Sequence, residues 1–122
     1  MARTFYSLAL IIISPLIIFY LYVLRGKKNS GYRAHFKERF GFVRRCLFSN
    51  KTKPVVIHCA SVGEVLAATP LIKALQNEHP QLNILITCNT PTGRAQITAQ
   101  FKDTVAISYL PIDFPFATAR FL

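Results

Sequence analysis

The chain is poor in acidic residues: five Asp and Glu stand against fifteen Lys and Arg in 122 residues, a formal net charge of +10. Such an imbalance ordinarily points to a polyanionic partner, nucleic acid first. The placement of the charges argues otherwise. Ten Lys and Arg and one acid, Glu38, fall between Arg25 and Lys53, whereas four basic and four acidic residues balance from Pro54 to Leu122. The basicity therefore belongs to one segment. Tyr32, Phe36, Phe40 and Phe42 are interleaved with it, as in a nucleic-acid interface, but the segment abuts an apolar run that explains its charge better. No nucleic acid partner is expected.

Cysteine is scarce too. Cys46, Cys59 and Cys88 make an odd count without C-x-x-C spacing, which argues against a disulfide framework and a structural zinc site. No metal is expected, and reduced cytosolic thiols are the simplest reading. Cys59 and Cys88 lie near the ends of apolar runs, where a free Cys behaves as a small buried hydrophobe. Also missing are G-x-G-x-x-G and G-x-x-x-x-G-K-[ST], so the standard dinucleotide and P-loop readings lose their main support.

Charge is absent altogether from Thr4 to Leu24, a stretch of 21 residues dominated by Leu, Ile, Phe and Tyr. As a helix this run is about 31 Å long, the thickness of a bilayer's hydrocarbon core. Residues 1–25 are therefore expected to form a single transmembrane anchor. Pro15 is tolerated in a membrane helix, and Tyr20 and Tyr22 suit the interfacial belt. A signal peptide would have a shorter apolar core and a small-residue cleavage site, whereas here Tyr20, Tyr22 and Leu24 run directly into Arg25, Lys27 and Lys28. One flank carries only Arg3 and the amino terminus; the other carries Arg25, Lys27, Lys28, Arg33, Lys37 and Arg39. That asymmetry places the C-terminal part in the cytoplasm. Residues 26–53 form a basic juxtamembrane segment facing anionic inner-membrane lipids, where each cation contributes on the order of 1 kcal/mol. The same charges also serve simply to stop translocation, and the two readings are compatible.

From Pro54 short apolar runs alternate with helical stretches, the signature of βαβ units around a parallel sheet. Strands are expected at Val55 to Cys59, Asn83 to Cys88 and Val105 to Leu110. The first crossover helix runs from Glu64 to Glu78, with Leu66, Ala67, Leu71, Ala74 and Leu75 able to face the sheet and Pro70 at a kink or restart. The second runs from Thr92 to Phe101. A third helix begins near Pro115, with Asp113 as its cap. Residues 54–122 thus read as half of a Rossmann-like layer, incomplete because Phe114, Phe116, Phe121 and Leu122 leave apolar surface near the end of the chain.

Open α/β sheets bind ligands at the carboxyl ends of their strands. The first such loop is Ala60-Ser61-Val62-Gly63-Glu64, where Gly63 permits a tight turn and a carboxylate at the helix start is favoured by the helix dipole by about 0.3 to 1 kcal/mol. Glu64 is then either a proton acceptor or only a favourable first-turn residue. The second loop, Thr90-Pro91-Thr92-Gly93, either presents N–H groups and hydroxyls to an anion or is an ordinary capped helix. His58, at a strand end, is either a packed, hydrogen-bonded residue or a further catalytic candidate.

Four motifs in order carry a resemblance: Glu38-Arg39-Phe40-Gly41; His58-Cys59-Ala60-Ser61-Val62-Gly63-Glu64 followed by Leu66-Ala67-Ala68-Thr69-Pro70-Leu71-Ile72; Thr90-Pro91-Thr92-Gly93; and Tyr109-Leu110-Pro111-Ile112-Asp113. Together, behind an apolar anchor, they resemble the 3-deoxy-D-manno-octulosonic acid (Kdo) transferase family. The resemblance implies an inverting glycosyltransferase of the GT-B type, two Rossmann-like domains with the active site between them. It implies CMP-Kdo as donor, held mainly by the second domain, and lipid IVA, the acylated and phosphorylated glucosamine disaccharide, as acceptor. The family's base maps to Glu64, and neither a metal nor a cofactor is called for, CMP-Kdo being a co-substrate. Ser61, Gly63, Thr90, Thr92 and Gly93 are expected near substrate, with Lys27, Lys28, Arg33 and Arg39 serving the phosphorylated lipid. The chain stops at Leu122, before the family's second domain, so the 122 residues alone are expected to be inactive, as a fragment or the product of a truncated gene. The competing expectation is a membrane-tethered, non-enzymatic module that binds anionic lipid or a protein.

Overall fold

The computed structural model describes residues 1–28, 34–43 and 53–122. Arg33, Tyr32 and Cys46 lie outside the described residues. The chain forms two compact units, Met1–Val43 with Pro111–Leu122, and Arg44–Leu110.

The second unit is an α/β layer. Strands β1 (Val55–His58), β2 (Ile84–Cys88) and β3 (Ala106–Tyr109) form a parallel sheet in the order β1-β2-β3. All-parallel sheets are buried on both faces, which is why β2 reads as a nearly unbroken apolar run and every one of its residues is buried. β1 is an edge strand, and its Val55 and Val56 stay exposed. Helix α2 (Val62–Glu78) connects β1 to β2, and α3 (Pro91–Phe101) connects β2 to β3. Val65, Ile72, Ile97 and Phe101 from these helices pack with Cys59, Ile86, Cys88 and Tyr109 into one core. Ile57 and Ile107 are packed against the same core. Because strand side chains alternate, Val56, His58, Leu85, Thr87, Ala106 and Ser108 occupy the other face.

The strand and helix positions follow the sequence expectations to within two residues, but two details differ. Helix α2 runs through Pro70 without a restart. Its buried stripe is Val65, Ala68, Ile72 and Leu75, whereas Leu66 is 50% and Leu71 58% exposed. The stretch from Val65 to Ala68 is apolar at every position, so periodicity left the phase of the helix open by one residue. The turn at Ser61, which starts the helix at Val62, fixed it.

The first unit begins with α1 (Ala2–Phe19), which continues as a π-helical stretch over Tyr20–Arg25 and a helical turn over Gly26–Lys28. The helix from Ala2 to Lys28 is long and apolar enough to cross a membrane. Pro15 sits within it. The 3-10 turn Phe36–Phe40 packs against the C-terminal helix α4 (Pro115–Phe121) through Phe40, whose ring stacks on Phe114 and Phe116, both at 6.5 Å. Tyr22 extends this ladder onto Phe36 at 5.4 Å. Asp113 does not cap α4: the cap position is Phe114, without a side-chain bond, and Asp113 instead accepts from Tyr6 Oη at 3.0 Å. The chain turns into α4 one residue later than the cap reading required, so the carboxylate is not placed over the first turn.

Candidate active site

The carboxyl end of the sheet is built by the exits from β1 and β2. Cys59 N–H donates to Thr87 O at 2.8 Å, which ties the end of β1 to β2. The chain then leaves the sheet through Ala60 and enters α2 at Ser61, whose extended backbone makes it the N-cap. Ser61 Oγ makes no capping bond. Glu64, in the third helical position, supplies that function differently: its Oε2 accepts from Ala60 N–H at 2.8 Å. An acidic residue in the first turn also opposes the positive end of the helix dipole. Glu64 is exposed, and its Oε1 takes no hydrogen bond from any described residue. One carboxylate oxygen is thus held and the other is available, a geometry that suits both a structural brace and a proton acceptor.

Cys59 lies beneath this loop, buried and unpaired with another cysteine. Burial, and secondarily the charge of Glu64, raises the pKa of its thiol. The thiol stays protonated near neutrality, so Cys59 is a core residue and not a nucleophile.

The second loop is a well-formed cap. Thr90 Oγ1 accepts from Gly93 N–H at 3.1 Å, and Pro91 occupies the first helical position, where its missing N–H costs nothing. Thr92 Oγ1 donates to Thr90 Oγ1 at 3.3 Å. Gly93 is buried between the loops: a Cβ there would meet Thr90 Oγ1 at 3.1 Å, Cys88 Cβ at 3.6 Å and the Ser61 carbonyl carbon at 4.0 Å. Ser61, Gly63, Glu64, Thr90, Thr92 and Gly93 therefore gather at one end of one sheet. In the other unit, Lys27 and Lys28 are exposed, whereas Arg39 is only 6% exposed. Its burial sets it apart from the solvent-facing lysines as a contact for a lipid phosphate.

Residues 34–122 match the family described as 3-deoxy-D-manno-octulosonic-acid transferase (kdotransferase). The chain belongs to the Kdo transferase family. A 3-deoxy-D-manno-octulosonic acid transferase of Haemophilus influenzae is 43% identical over the whole of this chain, and one of Bordetella pertussis is 34% identical over the same extent. An Aquifex aeolicus protein of the same name is 34% identical over 53% of the chain. The chain spans 28% and 29% of the lengths of the Haemophilus and Bordetella relatives. No solved structure matches it significantly.

Two features of this candidate site were not singled out from sequence. Arg94, in the first turn of α3, lies over the ring of Tyr109 with its guanidinium carbon 5.0 Å from the ring centroid. Thr87, fully buried, bonds the imidazole of His58 at 3.0 Å. The second had a trace in the sequence, a lone hydroxyl inside an apolar strand. Arg94 had none, because its partner Tyr109 is fifteen residues away and is brought near by the β2-α3-β3 crossover.

Proposed function

We propose that the chain forms the N-terminal Rossmann-like part of an inverting GT-B glycosyltransferase that moves Kdo from CMP-Kdo to lipid IVA in lipopolysaccharide biosynthesis. Glu64 is the general base in this reading. A sugar hydroxyl is a weak nucleophile, and a carboxylate that takes its proton as the new bond forms accelerates the step by about 10² to 10⁴-fold. Inversion needs a single displacement, so one base suffices and no covalent intermediate forms. The observation that carries the reading is the Glu64 carboxylate at the sheet's carboxyl end, one oxygen fixed by Ala60 N–H, in a chain of this family. A pre-oriented base loses little freedom when substrate arrives. Ser61, Gly63, Thr90, Thr92 and Gly93 contribute contacts to substrate, with neither a cofactor nor a metal required, since CMP is itself a good leaving group.

The anchor and its basic collar fit a substrate that lies in the membrane surface. In this reading α1 crosses the inner membrane once, the remainder is cytoplasmic, and Lys27 and Lys28 meet anionic head groups or the lipid's phosphates. A polypeptide of the relatives' full length carrying these 122 residues, assayed for Kdo transfer, tests the assignment. Glu64→Gln keeps an acceptor for Ala60 N–H and removes the base, so kcat should fall by about 10² or more with KM little changed. The bond from Ala60 also favours a second reading, in which Glu64 only braces the loop of a membrane-tethered binding module. Undiminished transfer by the Gln variant would sink Glu64 as the base in favour of a structural role, and no transfer by the unmodified polypeptide would favour the binding module.

A further inference from the structure

His58 and Thr87 are register partners on adjacent strands, and Thr87 is in turn the partner of Ser108, so a polar row crosses the sheet near its carboxyl end. It lies on the face away from the core of α2 and α3. Thr87 and Ser108 are buried, whereas His58, on the edge strand, is exposed. Ser108 Oγ satisfies itself locally by donating to the Tyr109 carbonyl at 3.0 Å. Thr87 Oγ1 has His58 Nδ1, at 3.0 Å, as its side-chain partner among the described residues. A buried hydroxyl hydrogen requires an acceptor, and among the described residues His58 Nδ1 is the side-chain atom within reach of it. With Nδ1 accepting from Thr87, the imidazole carries its proton on Nε2, its Nδ1 side pinned to the sheet and its Nε2–H left to donate.

We propose that His58 is a substrate-contacting residue, positioned by Thr87, whose Nε2–H donates a hydrogen bond to an oxygen of a phosphorylated amino sugar. The inference deepens the transferase reading and rests on it, because it assigns His58 to the same strand end that carries Glu64. Ala60, whose N–H holds the Glu64 carboxylate, is two residues beyond His58 in the same strand exit. The division of labour is chemical. A neutral imidazole locked as a donor cannot take the proton from the attacking hydroxyl, which leaves that task to Glu64, and it can fix the orientation of the sugar that carries the hydroxyl. The recognised oxygen belongs either to a phosphate group, where the negative charge shortens and strengthens the bond, or to the sugar itself.

The test uses the full 122-residue chain in detergent micelles, labelled with ¹⁵N-histidine and held above the imidazole titration range. The expected result is a His58 resonance pair with the proton on Nε2, and a saturable Nε2 shift on adding glucosamine 1-phosphate. Titrating inorganic phosphate and glucosamine separately shows which oxygen is recognised, the effective probe being the one that reproduces the shift. Thr87→Val, nearly isosteric, should give a mixture of tautomers and raise the half-saturating concentration about fivefold, the loss of one ordinary hydrogen bond. His58→Phe, read through the amide shifts of Ala60 and Glu64, should abolish the response of the loop to the same probe. A proton on Nδ1 in the unmodified chain, or no saturable response to any of the three probes, overturns the proposal. Absence of Kdo transfer by the full-length polypeptide would remove the transferase reading and leave the tautomer and both variants' effects unchanged, so the two failures are distinguishable.

Discussion

At single positions the chain is governed by what one atom more or less would meet. Gly41 has φ +83°, and a Cβ there would collide with the Ala117 carbonyl oxygen of α4. Gly41→Ala should therefore cost more than the usual 1 kcal/mol of a strained left-handed residue, seen as a lower urea midpoint. Thr90→Ala removes the acceptor for Gly93 N–H and should cost about 1 kcal/mol in the same measurement. Cys59 sets a pH dependence. Its thiol pKa lies above the ordinary value of 9.0, so the folded chain keeps a proton that the unfolded chain has released. The thiol's contribution is fully present below that value and declines as pH rises through the raised one. Cys59→Ala should remove this part of the alkaline loss, checked by comparing urea midpoints of the two proteins at pH 8 and pH 10. The Thr90 cap and the burial of Cys59 were legible in the sequence, whereas the close approach at Gly41 was not. Gly41 was visible only as part of a motif, because its partner Ala117 lies 76 positions away in sequence.

Individual elements were read more successfully than the faces they present. A parallel strand is a short apolar run between turn residues, and a crossover helix must separate it from the next, so β1, α2, β2, α3 and β3 were all legible. Which side of α2 is buried was not, since Val65, Leu66 and Ala67 are equally willing to leave water. The structure decides in favour of Ile72, fully buried, over Leu71. Ile72→Ala should destabilise by about 2 to 5 kcal/mol and Leu71→Ala by no more than about 0.5, measured by chemical denaturation. Equal effects would overturn this helix phase. The capping of α4 failed for a related reason: Asp113 is a good cap residue in isolation, but its carboxylate is taken by Tyr6. A local preference worth about 1 kcal/mol is easily outweighed by the path the backbone takes into the helix.

For the molecule as a whole, the first unit holds a tension between two environments. Tyr6 and Asp113 are bonded at 3.0 Å, while Tyr6 lies nineteen residues, about 28 Å of helix, from Arg25. If α1 crosses a bilayer with Pro111–Leu122 on the cytoplasmic side, Tyr6 must release Asp113. On that topology the bond belongs to the chain outside a membrane. Asp113→Ala should leave the membrane-bound fraction unchanged in cell fractionation, whereas removal of residues 2–28 should shift the chain to the soluble fraction. The apolar run, the basic segment beside it, the βαβ order and the candidate base at a strand end were all determined by sequence, because each depends on residues close together along the chain. The tertiary structure alone decided the helix phase, the hold of Ala60 N–H on the base, and the pairing of His58 with Thr87. Those depend on which strand lies beside which and in what register, and that choice is made by the sum of all contacts in the folded core.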